Sequence, residues 1–411
     1  MKPGYKQTEI GVIPEDWEIR FLPFFGDVVS GGTPSTNISA YWNGDIAWCT
    51  PSDITSTAGI RIIETEKRIT EQGLSKSAAI LLPPGSLLLC TRATIGDAKI
   101  NSVPMATNQG FKNVVPKNCN IFFLYYLLQT KKKEMLEKAI GSTFLEISKS
   151  SLCSIPLQYP QLPEQDRIAE ALSDMDELIA SLEKLIAKKK AIKQGAMQEL
   201  LTGKRRLPGF SGEWKTSPLI TLCDSITDGS HESPLETDCG YYMPSVKDMT
   251  DCGFNYSACK QISKLDYEKL VRNGCQPVVG DVLIAKDGSI LKHAFVYEQS
   301  VPTVILSSIA IIRPNKAIID SQYLAQYFRQ KSFVENVILN YKSGTGVPRI
   351  VLNNFKIIEI FHPISVKEQI AISETLGYID VDIEMQEKKV EKARQIKQGM
   401  MQQLLTGKIR I

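Results

Sequence analysis

The sequence predicts an α+β chain. Two mixed α/β globular domains are separated by two long antiparallel helices that form a coiled coil, and the whole is a pseudo-two-fold internal repeat. Three observations predict this. Gln194–Lys204 (QGAMQELLTGK) returns as Gln398–Lys408 (QGMMQQLLTGK), identical apart from Ala196/Met400 and Glu199/Gln403. Each copy ends a stretch of about forty residues with helical apolar spacing. Each stretch follows a longer region of short apolar runs and turn signals. With only two copies, each of roughly two hundred residues, the repeat points to a duplicated half and not to a solenoid.

The duplication extends upstream. Glu164-Gln165 and Glu368-Gln369 keep the same 204-residue separation, so the segment between the two motifs carries no net insertion. Earlier pairs drift: Gly141 with Gly344, Pro116 with Pro314, Gly85 with Gly280, Trp17 with Trp214. Loops absorb insertions and helices do not. The predicted boundaries are residues 1–160 (first globular domain), 161–204 (central helix), 205–364 (second globular domain) and 365–411 (C-terminal helix).

In the first helix Ile168, Leu172, Met175, Ile179, Leu182 and Ile186 alternate in steps of four and three. The second places Ile372, Leu376, Ile379, Ile383 and Val390 at equivalent sites, with Gln386 matching Leu182. This is the a/d seam of a helix packed on another helix, and Leu178 and Leu185 are expected to widen it. Pro163 suits a first turn, and Gly203 and Gly407 suit C-terminal stops. Forty helical residues make a rod of about 60 Å.

The globular regions read as short strands in a mixed sheet. Ile46–Trp48, Leu87–Cys90, Phe111–Val115, Val282–Ala285, Val304–Ile305 and Ala310–Ile312 are separated by turn signals such as Gly31-Gly32-Thr33-Pro34 and Lys286-Asp287-Gly288. Each domain adds one amphipathic helix, 121–138 and 322–338.

Composition excludes several classes. The chain has 411 residues, 43% of them hydrophobic, enough for two to four domain cores. No apolar run reaches membrane-span length, no apolar signal region opens the chain, and no membrane role is expected. The nine cysteines include no C-x-x-C pair and are joined by only three histidines, so no metal site is expected. Free thiols suit a cytoplasmic protein. Net charge is only +3. Basic residues still cluster at 188–190, 193 and 204–206, and again at 388, 389, 392, 394, 397, 408 and 410. They suit a solvated face, phosphate contacts or an acidic partner.

No phosphate-binding loop, serine-nucleophile elbow, zinc-protease motif or dinucleotide fingerprint is present. A two-fold chain built on paired rods without catalytic apparatus reads as a recognition and spacing device. A coiled-coil scaffold without DNA, and a degenerate DNA methyltransferase, remain open as alternatives.

Several motifs resemble those of the specificity subunits of type I restriction–modification systems. They are Gly31-Gly32-Thr33-Pro34-Ser35 with Tyr41-Trp42 and Ile46-Ala47-Trp48, Asp228-Gly229-Ser230-His231, Gly280-Asp281-Val282-Leu283, and Gly344-Thr345-Gly346 leading to Ile357 and Pro363. The Glu-Gln that opens each helix and the Leu-Leu-Thr-Gly-Lys that closes it complete the likeness. Arg92-Ala93-Thr94-Ile95-Gly96 departs from its counterpart Lys286-Asp287-Gly288-Ser289, and Ile364 stands beside Pro363 where the first half has Pro160.

The resemblance implies two target-recognition domains, each reading half of a split, asymmetric DNA site, with the helix pair setting the spacing. It implies double-stranded DNA and two methyltransferase subunits as partners, joined in nuclease-bearing systems by two restriction/translocase subunits. S-adenosylmethionine is expected on the methyltransferase subunits, and this chain is expected to bind no cofactor and to catalyse nothing. Polar residues at turn signals are the candidates for DNA contact. They are Thr33, Ser35, Arg92, Thr94, Asn108, Gln109, Ser142 and Thr143 in the first domain, and Ser230, His231, Lys286, Asp287, Ser307, Lys342, Thr345 and Arg349 in the second. Arginine or lysine can bond guanine O6/N7, and asparagine or glutamine adenine N6/N7. Turn and capping roles compete at every one of these positions.

Overall fold

A computed structural model describes residues 3–141, 145–299, 301–344 and 346–411. Two helices of 39 residues dominate it, Leu162–Leu200 and Val366–Leu404. Their boundaries keep the 204-residue separation of the sequence repeat. Each ends on a left-handed glycine, Gly203 and Gly407, both at φ 69°. Beyond each, an N–H reaches back six residues, Arg205 to the Glu199 carbonyl and Ile409 to that of Gln403. Only glycine takes this conformation without a Cβ clash, which is why Thr-Gly-Lys recurs at both stops.

The chain divides into two compact units, Met1–Lys184 with Glu387–Ile411, and Leu185–Gln386. The division falls inside both long helices, so the units do not follow the four consecutive sequence segments. The cause is packing. Leu404 and Leu405, at the end of the second helix, are buried in the first unit's core with Ile13, Trp17, Ile168 and Leu172. Met197, Leu200 and Leu201, at the end of the first helix, are buried in the second unit's core with Leu219, Ile372 and Leu376.

Within each unit the helix segments run antiparallel and carry ion pairs. In the first unit Lys397 meets Asp176 at 2.6 Å and Arg394 meets Glu183 at 2.6 Å. In the second Lys193 meets Asp380 at 2.5 Å, and Lys189 meets Asp382. Much of the basic cluster seen in the sequence is thus spent on acidic residues of the facing helix. The seam residues Met175, Ile179, Leu182, Ile186 and Ile379 are half-buried, and Ile383 and Val390 are buried. Leu178 and Leu185 do not widen the seam: they are 46% and 38% exposed. A strict a/d stripe is the narrow one expected of a two-helix contact. Gln386 is buried in the stripe and bonds Asp382 at 3.2 Å.

The globular parts share a four-strand frame. In the first unit the order is Gly26–Ser30, Lys112–Pro116, Leu87–Leu89, Ala98–Asn101, all antiparallel, with Arg61–Ile62 added in parallel. In the second it is Cys223–Asp228, Ile309–Pro314, Val282–Ala285, Ala294–Val296, antiparallel throughout. Two expectations change. Val304–Ile305 is a buried loop and not a strand. Each expected single helix is two, Ile121–Thr130 with Lys132–Glu137, and Ser321–Phe328 with Lys331–Tyr341.

The Glu-Gln dipeptides explain how each helix is seated. Gln165 accepts from the Asn120 N–H at 3.0 Å and donates to the Pro160 carbonyl at 2.8 Å. Gln369 does the same with the Asp320 N–H (2.7 Å) and the Pro363 carbonyl (2.8 Å). The preceding glutamates are buried and each meets an arginine. Arg410 forks onto Glu164 at 2.7–2.8 Å and also onto Asp16, while the Trp17 indole donates to Glu164 at 3.0 Å. Arg206 forks onto Glu368 at 2.5 and 2.7 Å and lies over the Trp214 ring.

Arg410→Ala strands the Glu164 carboxylate. The expected cost is about 2 kcal/mol, less than for a fully buried pair because Arg410 is 42% exposed. Arg206→Ala should do the same to the second unit, and thermal unfolding of each variant checks both. His362 is fully buried, donating Nδ1–H to the Pro363 carbonyl and accepting from Ser217. Burial holds its pKa below the usual 6.5. The unfolded chain therefore binds the proton more readily, and stability falls as pH drops through 6.5. His362→Gln should flatten the decline in denaturant midpoint between about pH 7 and about pH 5.

Candidate nucleic-acid interface

In each unit the four-strand frame delivers three loops to one sheet end. In the first unit these are residues 30–35, 91–97 and 107–111. The N–H of Gly31 bonds the Phe111 carbonyl and that of Gly32 the Thr107 carbonyl. A Cβ on Gly31 would collide with the Asn108 carbonyl, so close approach demands glycine there. Two indoles hold the rest of this loop: Trp48 donates to the Gly32 carbonyl at 2.9 Å and Trp42 to the Ser35 carbonyl at 3.1 Å. The aromatic residues downstream of Gly-Gly-Thr-Pro-Ser are therefore its supports.

Thr33 and Gln109 are exposed, and their side chains are hydrogen-bonded to each other. Ser35 is exposed. Asn108 serves its own turn, accepting from the Gly110 N–H at 2.8 Å. Thr94 is half-buried and its hydroxyl oxygen is buried, so the hydroxyl is not presented outward. Arg92 is half-exposed and paired with Glu146 at 2.5 Å. Lys112 and Lys149 bring further positive charge. Burial holds Lys112 below the usual lysine range, with Glu146 opposing and Arg92 and Lys149 adding to the shift. Lys149 donates to the Val28 carbonyl at 2.6 Å.

The second unit repeats the backbone with other side chains. Ser230 N–H bonds the Ile305 carbonyl, Ser307 N–H bonds the Ser230 carbonyl, and Lys286 N–H bonds the Ser308 carbonyl. A Cβ on Gly229 would strike the Ile305 carbonyl, as on Gly31. Ser230 is buried and closes its own turn on Glu232. His231 is exposed, 3.7 Å from Asp228. It lines a cleft of about 420 Å³ with Thr227–Glu232 and Asn273–Cys275. Arg349 and Lys342 are exposed. Ser142, Thr143 and Thr345 lie outside the described residues.

Lys286 is a correction. Expected among the candidates for DNA contact, it has a side chain only 7% exposed, with the ammonium 3.3 Å from Asp228 and 3.4 Å from Asp287. A buried lysine between two carboxylates holds the loops together. Sequence reading missed Glu146, Lys112 and Lys149. The repeat could have found the first, because the 203-residue separation of Gly141 and Gly344 maps Glu146 onto Arg349.

Lys286→Ala should destabilise the second unit by about 3 kcal/mol, since it leaves Asp228 and Asp287 unpaired in a poorly solvated place. Arg92→Ala, which breaks a half-exposed pair, should cost under about 1 kcal/mol. Chemical denaturation of both variants checks the contrast.

Comparison with known proteins bears on both units. Residues 14–194 match the family described as type I restriction modification DNA specificity domain. The MjaIX type I restriction enzyme specificity subunit of Methanocaldococcus jannaschii is 42% identical over 183 residues, 44% of this chain and 42% of that protein. The match thus spans less than half of that relative's length. The MjaVIII specificity subunit of the same organism is 25% identical over 97% of this chain and 94% of its own length. Among solved structures, the S subunit of a type I system from M. genitalium covers 98% of this chain and 99% of its own at TM-score 0.58 and 14% identity. A chain from a study of type I system assembly and conformational transition covers 97% and 99% at TM-score 0.60 and 17% identity. These two likenesses establish the shared fold. Residues 14–194 match the type I restriction modification DNA specificity domain family, and the chain as a whole is similar to the specificity subunits of type I restriction–modification systems.

Proposed function

We propose that this chain is the sequence-recognition subunit of a type I restriction–modification complex. Each globular unit reads one half of a bipartite, asymmetric DNA site, and the helix pair sets the spacing between the halves. One observation carries the reading: the same strand frame and loop connections occur in both units, yet the side chains at the loop cluster differ. Arg92, Lys112, Lys149 and Glu146 occupy it in the first unit, and Asp228, His231, Lys286, Asp287 and Arg349 in the second. A repeated frame with different contents suits two recognition heads for two different half-sites. The DNA specificity domain over residues 14–194 supports the same reading.

In this proposal the chain itself performs no chemistry. Two methyltransferase subunits bind it and carry S-adenosylmethionine, and in nuclease-bearing systems two restriction/translocase subunits join them. The assembly works in the cytoplasm. Among the described residues no helix is long and apolar enough to cross a membrane. The test is to express the chain with its methyltransferase partner and map the methylated adenines in host DNA. A two-part motif with unlike halves is expected. Methylation by the isolated chain, or no DNA retention with or without partners at low salt, would refute the proposal.

The helix pair yields a geometric prediction. Inserting one heptad after Ala187 and another after Gln386 keeps the a/d stripe in register and lengthens the rods by about 10.5 Å. At about 3.4 Å per base pair this corresponds to roughly three more base pairs between the half-sites. The methylated motif of the doubly extended variant should show a longer spacer with both half-sites unchanged. An unaltered spacer in an active variant would show that the helices are not the ruler.

A further inference from the structure

The two units share one loop conformation and reverse its charge. From Cys90 to Asp97 and from Ala285 to Lys292 the backbone follows one path. Ala93 and Gly288 are left-handed at φ 56° and 71°, and so are Gly96 and Leu291 at 90° and 53°. The Gly96 N–H bonds the Cys90 carbonyl at 3.0 Å, and the Leu291 N–H bonds the Ala285 carbonyl at 2.8 Å. Ala93 and Leu291 hold a conformation that side chains disfavour, and such strain gathers at functional loops.

Each loop is bridged antiparallel to a second segment, Arg92 to Glu146 and Asp287 to Arg349. That segment closes on itself in the same way, Glu146 on Ile140 and Arg349 on Ser343. Ile147 N–H bonds the Thr91 carbonyl and Ile350 N–H the Lys286 carbonyl, both at 3.0 Å. Arg92 therefore corresponds to Asp287, and Glu146 to Arg349. This is one cross-strand pair of opposite charges with its polarity inverted.

The surroundings decide what each arginine can do. Thr91 stands in the first unit where Lys286 stands in the second. With threonine and not lysine at position 91, the first pair closes, and Glu146 grips one edge of the Arg92 guanidinium. Arginine has five N–H donors, so the other edge is left to bind. In the second unit Lys286 takes Asp287, and Arg349 stays exposed with no carboxylate paired to it among the described residues.

We propose that this cross-strand position is the specificity-determining position of each unit. Arg92 serves in the first, with Glu146 as its positioning residue. Arg349 serves in the second, kept clear of Asp287 by Lys286. Each offers its fork to the O6/N7 edge of a guanine in its own half-site. The inference rests on the chain being a DNA-recognition subunit.

The test uses the full chain assembled with its methyltransferase partners. Affinity is measured for duplexes that the wild-type complex selects from a randomised pool, for their single-base-pair variants, and for random duplex. Arg92→Lys and Arg349→Lys keep the charge and lose the fork. Each is expected to weaken the selected duplex by about 5- to 150-fold, with lost discrimination at a base pair in a different half. Binding to random duplex should stay within about twofold. Glu146→Gln should lose discrimination at the same base pair as Arg92→Lys, by a smaller factor. The pair Arg92→Glu with Glu146→Arg restores an ion pair in the second unit's order and should change the preferred base pair in the first half alone. Equal losses on selected and random duplexes would identify phosphate contacts and overturn the proposal. A Glu146→Gln variant that discriminates like wild type would overturn the positioning role. A wild-type complex that selects no common sequence would instead overturn the DNA-recognition reading itself.

Discussion

A buried carboxylate must be paired, and two of them govern how this chain closes. Glu164 and Glu368 sit at the first turn of the long helices with almost no solvent contact. Helix N-termini favour negative charge, but the gain there is at most about 2 kcal/mol and does not offset removing an ion from water. Arginine supplies the rest, and in both cases it comes from the segment just past the end of the other long helix, as Arg410 and Arg206. The opening of each helix is therefore completed by the closing of the other. This one constraint accounts for the Glu-Gln signature, for the Leu-Leu-Thr-Gly-Lys signature, and for a unit boundary that falls inside both helices.

What was legible in the sequence follows the same logic. The two helices could be read because a seam with steps of three and four is a local pattern, and because the repeated motifs fix both ends. Val282–Ala285 could be read as a strand because a short, β-branched apolar run bounded by Gly280 and Gly288 has few other fates. Val304–Ile305 has the same composition but lies in a buried loop, and only tertiary context separates the two. The single helices expected over 121–138 and 322–338 break at Lys131 and at Arg329-Gln330, where apolar periodicity gives no warning.

The site was legible as a set of loops but not as a set of contacts. The turn signals Gly31-Gly32-Thr33-Pro34 and Lys286-Asp287-Gly288 both fall in loops of the sheet-end clusters. They could not show that Lys286 is buried between Asp228 and Asp287, because the three meet only when two loops and a strand end come together. Nor could the basic clusters be assigned from sequence. Lys193, Arg206, Arg394, Lys397 and Arg410 each answer an acid that is distant in the chain. Charge density alone does not separate a phosphate-binding surface from one face of an ion-paired helix.

On the proposed reading the duplicated chain meets duplex DNA, a partner with two-fold symmetry of its own, and two identical heads would read a palindrome. Here the frame carries the symmetry and a few loop residues break it. The close approaches at Gly31 and Gly229, the left-handed residues at 93 and 288, and the cross-strand bridges at 146 and 349 are the same in both units. The exchange of Thr91 for Lys286, and of the order Arg–Glu for Asp–Arg, alters charge without altering that backbone. Glycine and backbone hydrogen bonds hold most of the loops, with Asn108 and Ser230 closing their own turns, so Arg92, His231 and Arg349 are released from that duty and can differ between halves. Lys286 tests this separation, since it both stabilises the loop and decides which neighbour remains unpaired. On the proposed reading, specificity is a property of which charges the loop keeps for itself and which it leaves outward.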